Sequence, residues 1–380
     1  MGFIYTEEQE SIRELVREFA KNELEPRAAK MDQEEKLDPA IIEMMAEMGL
    51  MGIGIPEEYG GLGMGMMEKS IVVEELAKKD ASTAELISVQ NMAYTAIIKH
   101  GSEELKQKYL TKAAQGGICA FALTESSAGS DAANIKTTAV VDGDEYIING
   151  SKCFISNMGP EEGDFVTILA ITDPDAGVKG FTAIVVDRDA PGFSLGRREE
   201  KMGIRAADVS ELFFEDCRVP VSNTVGEPGR GFNYFMEALD GGRIGMASQA
   251  LGIAEEALAL AVNYAKTREQ FKKPIARNQG LQWYIADMAT KVEAARALIY
   301  EAATTFDRGE NVTQIAAIAK YYASEIGVQV ADKALQIYSG YGYMRDYPLE
   351  RMYRDARIVP IYEGTSEVQK MIIAREALKG

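Results

Sequence analysis

The hydrophobic repeat of the sequence changes twice along the chain, and this change limits the possible folds more than any other feature. Over residues 7–117 apolar side chains recur every three or four positions, which is typical of amphipathic helices. Over residues 118–225 short runs rich in β-branched and aromatic residues alternate with Asp-Gly, Asp-Pro and Pro-Gly turns, which indicates strands. From about residue 231 long alanine-rich helical segments return. The order of elements is therefore helices, strands, helices.

This order predicts a mainly α protein with a β-barrel in the middle. We expect a helical domain over residues 1–117, an antiparallel sheet or small barrel over 118–227, and a bundle of four or five helices over 228–380. Asp142-Gly143 lies between two strand-like runs and predicts a hairpin. The helices after the sheet are expected near 231–266, 280–308, 312–338, 348–357 and 366–378.

Composition argues against several classes of partner. The chain has 380 residues and a formal net charge of -18, which repels phosphate backbones and anionic membrane surfaces, so we expect neither nucleic-acid binding nor membrane attachment. No apolar run reaches the roughly 20 residues that cross a bilayer. The first ten residues, "MGFIYTEEQE", are too acidic for a signal or transit peptide. We therefore expect a cytoplasmic protein.

Few residue types are available for acid–base or metal chemistry. The three cysteines are far apart, which favours neither a disulfide framework nor a metal site. The sequence has one histidine, His100, which precedes Gly101 at the predicted end of a helix and there favours the helix dipole. We expect no bound metal, and proton transfer is most readily assigned to a carboxylate.

One candidate carboxylate lies in "PIYEGTSEVQK", residues 360–370, just ahead of a predicted helix. The string alone leaves two interpretations open. Ser366 and Gln369 would form a capping box, and Glu363 would only favour the positive end of the helix. Alternatively, Glu363 is a general base whose aromatic and glycine neighbours keep water away.

The glycine-rich strings do not form a familiar nucleotide cradle. "GLGMGMM" and "GYGYM" neither follow a strand nor open a helix in a βαβ unit, so they are interpreted as turns. The sequence also has no Walker A loop. A nucleotide cofactor would have to bind through another arrangement.

Several ordered motifs together resemble the acyl-CoA dehydrogenase family, most closely its short-chain, butyryl-CoA type. The motifs are "CAFALTESSAGSD" (119–131), "NGSKCFISN" (149–157), "EALDGGRIGMASQALGIA" (237–254), "TREQFKKPIARNQ" (267–279), "ALQIYSGYGY" (334–343) and "RDARIVPIYEGTSEVQ" (354–369). The resemblance implies an N-terminal helical domain, a middle β-barrel and a C-terminal four-helix bundle. It also implies FAD between barrel and bundle, and a homotetramer arranged as a dimer of dimers.

The resemblance implies a reaction as well. Enzymes of this family convert a saturated acyl-CoA into the trans-2-enoyl-CoA and pass the electrons to an electron-transfer flavoprotein. Glu363 matches the base that removes the α-proton, while FAD N5 accepts the β-hydride. A thioester α-proton is a very weak acid, so the base needs a pKa raised by burial. One branch takes its base from another helix, at the position of Gly242 here, and a glycine cannot serve.

The cofactor and substrate residues carry over by motif. The residues implied to contact FAD from the same subunit are Phe121, Leu123, Thr124, Ser130, Phe154, Ile155 and Ser156. The residues implied to reach FAD from a neighbouring subunit are Arg268, Phe271 and Gln279, with further contacts from Gln336, Gly340, Thr365 and Glu367. The residues implied to bind the acyl-CoA are Ser130, Asp240, Arg243, Tyr362 and Gly364.

Some positions depart from the family pattern or leave alternatives. Ser126 and Ser127 stand where proline and glycine are frequent, and Lys272 stands where glycine is common. The arginines of "MRDYPLERMYRDAR" are interpreted as a charge network, with a CoA-phosphate site as the alternative. We expect the helix around "ISVQNMAYTAI" to line the acyl end of the pocket. The alternative functions are a 2-enoyl-CoA reductase, an acyl-CoA oxidase and a non-catalytic family member.

Overall fold

The computed structural model describes residues 3–159 and 163–379. The expected domains 1–117 and 228–380 include Met1, Gly2 and Gly380, which lie outside the described residues. The N-terminal part is helical, as the sequence predicts. Its helices are α1 (Glu7–Phe19), α2 (Glu25–Glu34), α3 (Pro39–Glu47), α4 (Met66–Ala77), α5 (Ala81–His100), α6 (Glu103–Leu105) and α7 (Thr111–Ala114).

Side-chain caps explain where several of these helices begin. The Thr6 hydroxyl accepts from the Gln9 N–H at 3.1 Å, and the Gln9 side chain accepts from the Thr6 N–H at 3.1 Å, which forms a capping box at α1. Asp80 caps α5 by accepting from the Thr83 N–H at 2.8 Å. His100 ends α5, and its Nε2 lies 3.0 Å from the Glu237 carboxylate. His100 therefore has a structural partner.

The middle part is one curled sheet. Its strands are β1 (Ile118–Ala122), β2 (Thr138–Asp142), β3 (Glu145–Ser156), β4 (Gly163–Ile171), β5 (Phe181–Asp187), β6 (Phe193–Arg198) and β7 (Val209–Pro220). The strand order is β1-β4-β2-β3-β7-β6, and β5 pairs with β4. The predicted hairpin is present, since Asp142 pairs with Glu145 across Gly143 at φ 67°.

The expected antiparallel pairing holds for most of the sheet but not for all of it. Strand β1 pairs with β4 in parallel, and β2 meets β4 in parallel at Thr138 and Ile171. Parallel pairing is possible because long stretches of chain separate β1 and β2 from β4. The other pairs are antiparallel. Within the described residues no pairing joins β6 to β1 or β5, so the expected barrel is a curled, open sheet.

The C-terminal part is the predicted helical bundle. Its helices are α8 (Gly231–Thr267), α9 (Gln279–Asp307), α10 (Thr313–Tyr338), α11 (Leu349–Ala356) and α12 (Ser366–Ala377). A small hairpin of β8 (Glu269–Gln270) and β9 (Lys273–Pro274) separates α8 from α9. Helix α8 packs on α10, α9, α4 and α5. Close approach of α8 and α10 depends on small residues, since a Cβ on Gly327 would lie 3.3 Å from the Ala250 Cβ.

Helix α5 lies at the centre of the molecule and positions the site. It packs against α8, α4 and β1, and its residues from Ala81 to Tyr94 are all buried. One side of α5 therefore faces the bundle and another faces the sheet. Among the described residues, no helix has both the length and the apolar character that spanning a membrane requires.

Candidate active site

A cavity of about 750 Å³ lies where the sheet, α5 and the C-terminal segment meet. Its walls come from α5, the end of β1 with the loop that follows, the end of β3, residues 199–204 and residues 358–365. The volume is within the range of roughly 300–1,000 Å³ that small-molecule sites occupy. The 199–204 wall is fixed to α11, because the Ile204 N–H donates to the Asp355 carboxylate at 2.6 Å.

Glu363 lies in the wall of this cavity, in the turn between α11 and α12. Its backbone is left-handed at φ 50°, and Gly364 follows at φ 91°. Glu363 Oε2 has no accessible surface and no hydrogen-bond partner among the described residues. Burial raises the pKa of Glu363 to about 7, although the charges of Lys320 and Arg243 lower it in part.

The turn that carries Glu363 is held from two helices. The buried Lys320 Nζ on α10 donates to the Gly364 carbonyl oxygen at 2.7 Å. The Gln369 amide on α12 donates to the Gly364 and Glu363 carbonyl oxygens at 2.9 and 3.2 Å. Burial lowers the pKa of Lys320 to about 8, while the Glu363 carboxylate opposes that shift. These bonds hold the backbone of the turn that carries the carboxyl group.

The capping-box interpretation of this segment is wrong. Thr365 is the N-cap of α12, with its hydroxyl accepting from the Val368 N–H at 3.3 Å. The Ser366 hydroxyl instead donates to the Glu325 carboxylate at 2.6 Å, and the Gln369 amide is occupied by the turn. The left-handed backbone at residues 363–364 moves the start of α12 by one residue relative to the expected box.

Gly242 on α8 leaves room for the Glu363 carboxyl group. A Cβ at Gly242 would lie 2.5 Å from Glu363 Oε2 and 2.9 Å from Met92 Sδ. Real Cβ atoms do not approach other atoms so closely. The glycine at this position is therefore a steric requirement for Glu363 to occupy its place.

Comparison with known proteins follows the same three segments. The N-terminal, middle and C-terminal domain models of the acyl-CoA dehydrogenases match residues 6–117, 120–217 and 229–378. The chain belongs to the acyl-CoA dehydrogenase family. It is an oxidoreductase, and its order of helical, sheet and helical parts is the one that the family resemblance implied. Members of this family are flavoproteins.

Relatives of this chain carry different names. The chain is 52% identical to the acryloyl-CoA reductase (NADH) of Anaerotignum propionicum over 100% of this chain and 96% of the relative. It is 41% identical to the solved butyryl-CoA dehydrogenase of Megasphaera elsdenii, with a TM-score of 0.96 and 100% of both chains covered. It is 46% identical, with a TM-score of 0.97 and the same coverage, to a chain in a structure of the electron transferring flavoprotein of Acidaminococcus fermentans.

Most residues expected from the acyl-CoA dehydrogenase motifs come together at the cavity. Those that line it are Phe121, Leu123, Thr124, Ser130, Phe154, Ile155, Ser156, Tyr362, Glu363, Gly364 and Thr365. The Phe154 side chain is 67% exposed, with its backbone at φ 57°, so an aromatic face borders the open space. A wall of this kind, apolar with a few hydroxyl groups, fits the flat ring system of a flavin.

Three expected residues lie close to Glu363 in sequence or in space without lining the cavity. Asp240 and Arg243 are one turn apart on α8 and form an ion pair. The Thr313 hydroxyl also donates to Asp240, at 2.8 Å. The buried Arg243 acts on the Glu363 pKa through its charge. Glu367 is exposed on the first turn of α12.

Five other expected residues lie away from the cavity of their own chain; they are Arg268, Phe271, Gln279, Gln336 and Gly340. The Arg268 guanidinium lies 5.4 Å from the centre of the Tyr341 ring. Phe271 is 92% exposed at the tip of the β8–β9 hairpin, where Phe271 and Lys272 have φ of 53° and 63°. Lys272 thus adopts a left-handed backbone, the conformation that favours the glycine expected more often at this position.

Sequence reasoning missed the ion pair beneath the β1 loop. The buried Lys152 Nζ on β3 donates to Glu125 Oε1 at 2.8 Å and to the Leu123 and Leu169 carbonyl oxygens at 3.2 and 2.8 Å. The Glu125 carboxylate in turn accepts from the Lys136 and Thr137 N–H groups. A lysine inside the apolar alternation of "NGSKCFIS" was the available signal.

Two further cavity features had weaker signals. Arg354 forms ion pairs with Asp32 and Glu350, both at 2.8 Å, which agrees with the expected charge network. Arg354 and Arg357 nevertheless line the cavity as well. The buried Glu85 on α5 also lines it, and a lone carboxylate in "ASTAELISVQ" was the only sign of this.

Proposed function

We propose that this protein is an FAD-dependent dehydrogenase that converts a short-chain acyl-CoA into the trans-2-enoyl-CoA. The observation that carries the proposal is Glu363, which lines a large cavity, has a pKa raised to about 7, and has one enclosed carboxyl oxygen without a hydrogen-bond partner among the described residues. A base with such a pKa accepts a proton more readily than an ordinary carboxylate and is still partly ionised near neutral pH, which removal of the α-proton of a polarised thioester requires.

The residues of the chain would divide the work in a simple way. Glu363 would remove the α-proton through its carboxylate, and its backbone N–H would donate to the thioester oxygen. Lys320 and Gln369 hold the turn in place, so the backbone that carries the base is positioned before substrate binds. The chemistry that FAD would supply, when bound, is that flavin N5 accepts the β-hydride.

Cofactor and substrate contacts are proposed for the residues that line the cavity. The backbone of Phe121 and Leu123 and the hydroxyl group of Thr124 would face the flavin, while Phe154, Ile155 and Ser156 cover its edge, as the motif match implies. Ser130, Tyr362 and Gly364 would contact the acyl-CoA. Asp240 and Arg243 would act from behind Glu363, since they do not line the cavity.

The distant cofactor residues would require a neighbouring subunit. Arg268, Phe271, Gln279, Gln336 and Gly340 do not line the cavity of their own chain, so we assign them to the FAD of another copy in a homotetramer. The assignment of Glu367 and Thr365 to FAD is likewise a proposal. We also propose a cytoplasmic location and three domains, with the bounds 1–117, 118–227 and 228–380.

Reduction of a 2-enoyl-CoA is the second candidate function. It is favoured by the acryloyl-CoA reductase that is 52% identical to this chain. The same geometry serves it, because a glutamate with a pKa of about 7 also carries a proton that it can deliver to the α-carbon. In either direction we propose an electron-transfer flavoprotein as the electron partner, which the likeness to a chain in the Acidaminococcus fermentans structure supports.

An anaerobic visible spectrum of the FAD-loaded protein tests the proposal. Saturated acyl-CoAs of increasing length, including branched and carboxylated ones, are added in turn. We expect a short unbranched thioester to bleach the flavin band. A yellow protein that no saturated thioester bleaches, but whose reduced form is oxidised by a 2-enoyl-CoA, would support the reductase; a protein that cannot be loaded with FAD would contradict both.

A further inference from the structure

The cavity contains a second buried carboxyl group that the proposed reaction does not use. Glu85 on α5 is 1% exposed and lines the same cavity as Glu363. Its Oε1 accepts from the Ser156 hydroxyl at 2.7 Å. Its Oε2 is fully enclosed and has no hydrogen-bond partner among the described residues. A buried carboxyl oxygen without a partner is costly, so a bound molecule that completes it gains affinity.

The polar groups around Glu85 are already engaged elsewhere. The Lys201 ammonium group donates to the Ala207 carbonyl oxygen at 2.7 Å. The Tyr362 hydroxyl donates to the Gln249 side chain. In the described part of the chain, neither group forms an ion pair or hydrogen bond with Glu85 Oε2. Oε2 is enclosed in this structure, but it belongs to a side chain that lines the cavity, so a bound donor reaches it when the carboxyl group turns toward the cavity.

Glu85 lies on the face of α5 that leads along the cavity wall toward the base. Glu85, Val89 and Met92 are spaced four and three residues apart, so they form one stripe of α5, and all three line the cavity. Met92 lies beside Gly242, which also faces Glu363 Oε2. Glu85 is therefore about 10 Å along the helix axis from the residue next to the base. An acyl chain held at Glu363 and extended along this stripe approaches Glu85.

We propose that Glu85 is a specificity-determining residue that selects short acyl groups ending in a hydroxyl over apolar acyl groups of the same size. This inference rests on the proposed function. A hydroxyl suits Glu85 in both protonation states, because it donates to a carboxylate and accepts from a carboxylic acid. Burial raises the pKa of Glu85 to about 7, so both states occur near neutral pH. A methyl group in the same place satisfies neither.

Two matched ligand pairs test the selection. In each pair a terminal hydroxyl replaces a terminal methyl: 4-hydroxybutyryl-CoA with pentanoyl-CoA, and 5-hydroxypentanoyl-CoA with hexanoyl-CoA. Their dissociation constants are measured by calorimetry with FAD-loaded Glu363→Gln protein, so that binding is not followed by turnover. We expect the hydroxylated member of at least one pair to bind about tenfold more tightly, the gain typical of one hydrogen bond.

Variants of the stripe assign the preference to Glu85. Glu85→Leu, in the same background, should remove or reverse the preference, whereas the isosteric Glu85→Gln should keep much of it. Val89→Leu changes the size of the wall without removing the polar group, so it should affect both members of a pair alike. An unaltered preference in Glu85→Leu would overturn the inference. So would a preference that is lost in Val89→Leu but kept in Glu85→Leu.

The outcomes also separate the inference from the proposed function. Equal dissociation constants within both pairs, with saturated acyl-CoAs still bleaching the wild-type flavin, would overturn the role of Glu85 alone. Failure of every acyl-CoA to bind or to bleach would overturn both. If Glu85→Leu is unstable, Glu85→Met, which also removes the carboxyl group, takes its place and should likewise lose the preference.

Discussion

At the scale of single residues, the account depends on how Glu363 is placed. Its left-handed backbone stores strain that the bonds from Lys320 and Gln369 offset. The carboxyl group then lies against Gly242, with one oxygen enclosed and without a hydrogen-bond partner in the described part of the chain. A surface glutamate would be ionised well below neutral pH, whereas this one has a pKa raised to about 7. The reactivity of the residue follows from its surroundings.

The raised pKa predicts the pH dependence of turnover. Dehydrogenation needs Glu363 ionised, so kcat/KM for the acyl-CoA should rise with pH up to about 7 and level off above it. Reduction of the 2-enoyl-CoA needs the proton, so its kcat/KM should fall over the same range. Profiles measured in both directions between about pH 5.5 and pH 8.5 test this. Profiles of the same sign in the two directions would contradict the assignment.

Gly242→Ala tests the steric link between α8 and the base. The added Cβ would lie 2.5 Å from Glu363 Oε2, so the carboxyl group must move. A displacement near 1 Å costs roughly 10²-fold in turnover, and we expect a loss of that order with FAD retained. Gly280→Ala is the matched control, because its Cβ meets nothing within 4 Å. Full turnover in Gly242→Ala would show that the contact is unimportant.

At the scale of elements, the site lies where separately built parts meet. The loop after β1 is fixed from β3 by Lys152, and the turn after α11 is fixed from α10 by Lys320. Both lysines are buried, and burial lowers the pKa of each to about 8. The carboxylate of Glu125 opposes the shift at Lys152 and keeps its charge favourable. Each buried cation therefore holds a segment that lines the cavity.

Lys152→Met should destabilise the sheet. The substitution removes the partner of the buried Glu125 carboxylate, and breaking a buried pair in this way costs about 3–5 kcal/mol. We expect a lower thermal unfolding temperature and weaker FAD retention. The double variant Lys152→Met with Glu125→Gln should recover part of the loss, since no unpaired charge then remains. An unchanged unfolding temperature in the single variant would contradict this interpretation.

At the scale of the whole molecule, one chain provides a cavity but not every expected FAD contact. Five expected FAD residues do not line the cavity of their own chain; they are Arg268, Phe271, Gln279, Gln336 and Gly340. We therefore expect FAD retention to depend on assembly. Large exposed aromatic side chains, such as Phe271, Trp283 and Tyr343, lie in the same C-terminal part and suit contact with another copy.

Arg268→Ala should weaken FAD retention without changing the fold. An arginine fork matches a pyrophosphate, and its loss removes charge-assisted hydrogen bonds. The measurement is the flavin-to-protein absorbance ratio after gel filtration, together with the assembly size. Lys266→Ala is the control, since Lys266 is an exposed cation two residues away. Equal flavin content in both variants would contradict the pyrophosphate assignment.

Sequence periodicity predicted the order of helices and strands because local burial determines it. The expected 312–338 and 366–378 correspond closely to α10 and α12. The parallel pairing of β1 with β4 was missed, because strand partners depend on contacts between distant segments. The family motifs identified residues near Phe121 and near Ser156 that line one cavity in the structure. Glu85 and Lys152 were missed because a single charged residue in an apolar segment does not indicate its partner.

The most direct test of the central claim is removal of the α-proton without net oxidation. Butyryl-CoA is incubated in D2O with FAD-loaded protein, and exchange of its α-protons is followed by NMR. We predict that wild-type protein catalyses the exchange, while Glu363→Gln keeps FAD and loses at least about 10³-fold of the rate. Exchange at the wild-type rate in Glu363→Gln would show that another group is the base and would contradict the account.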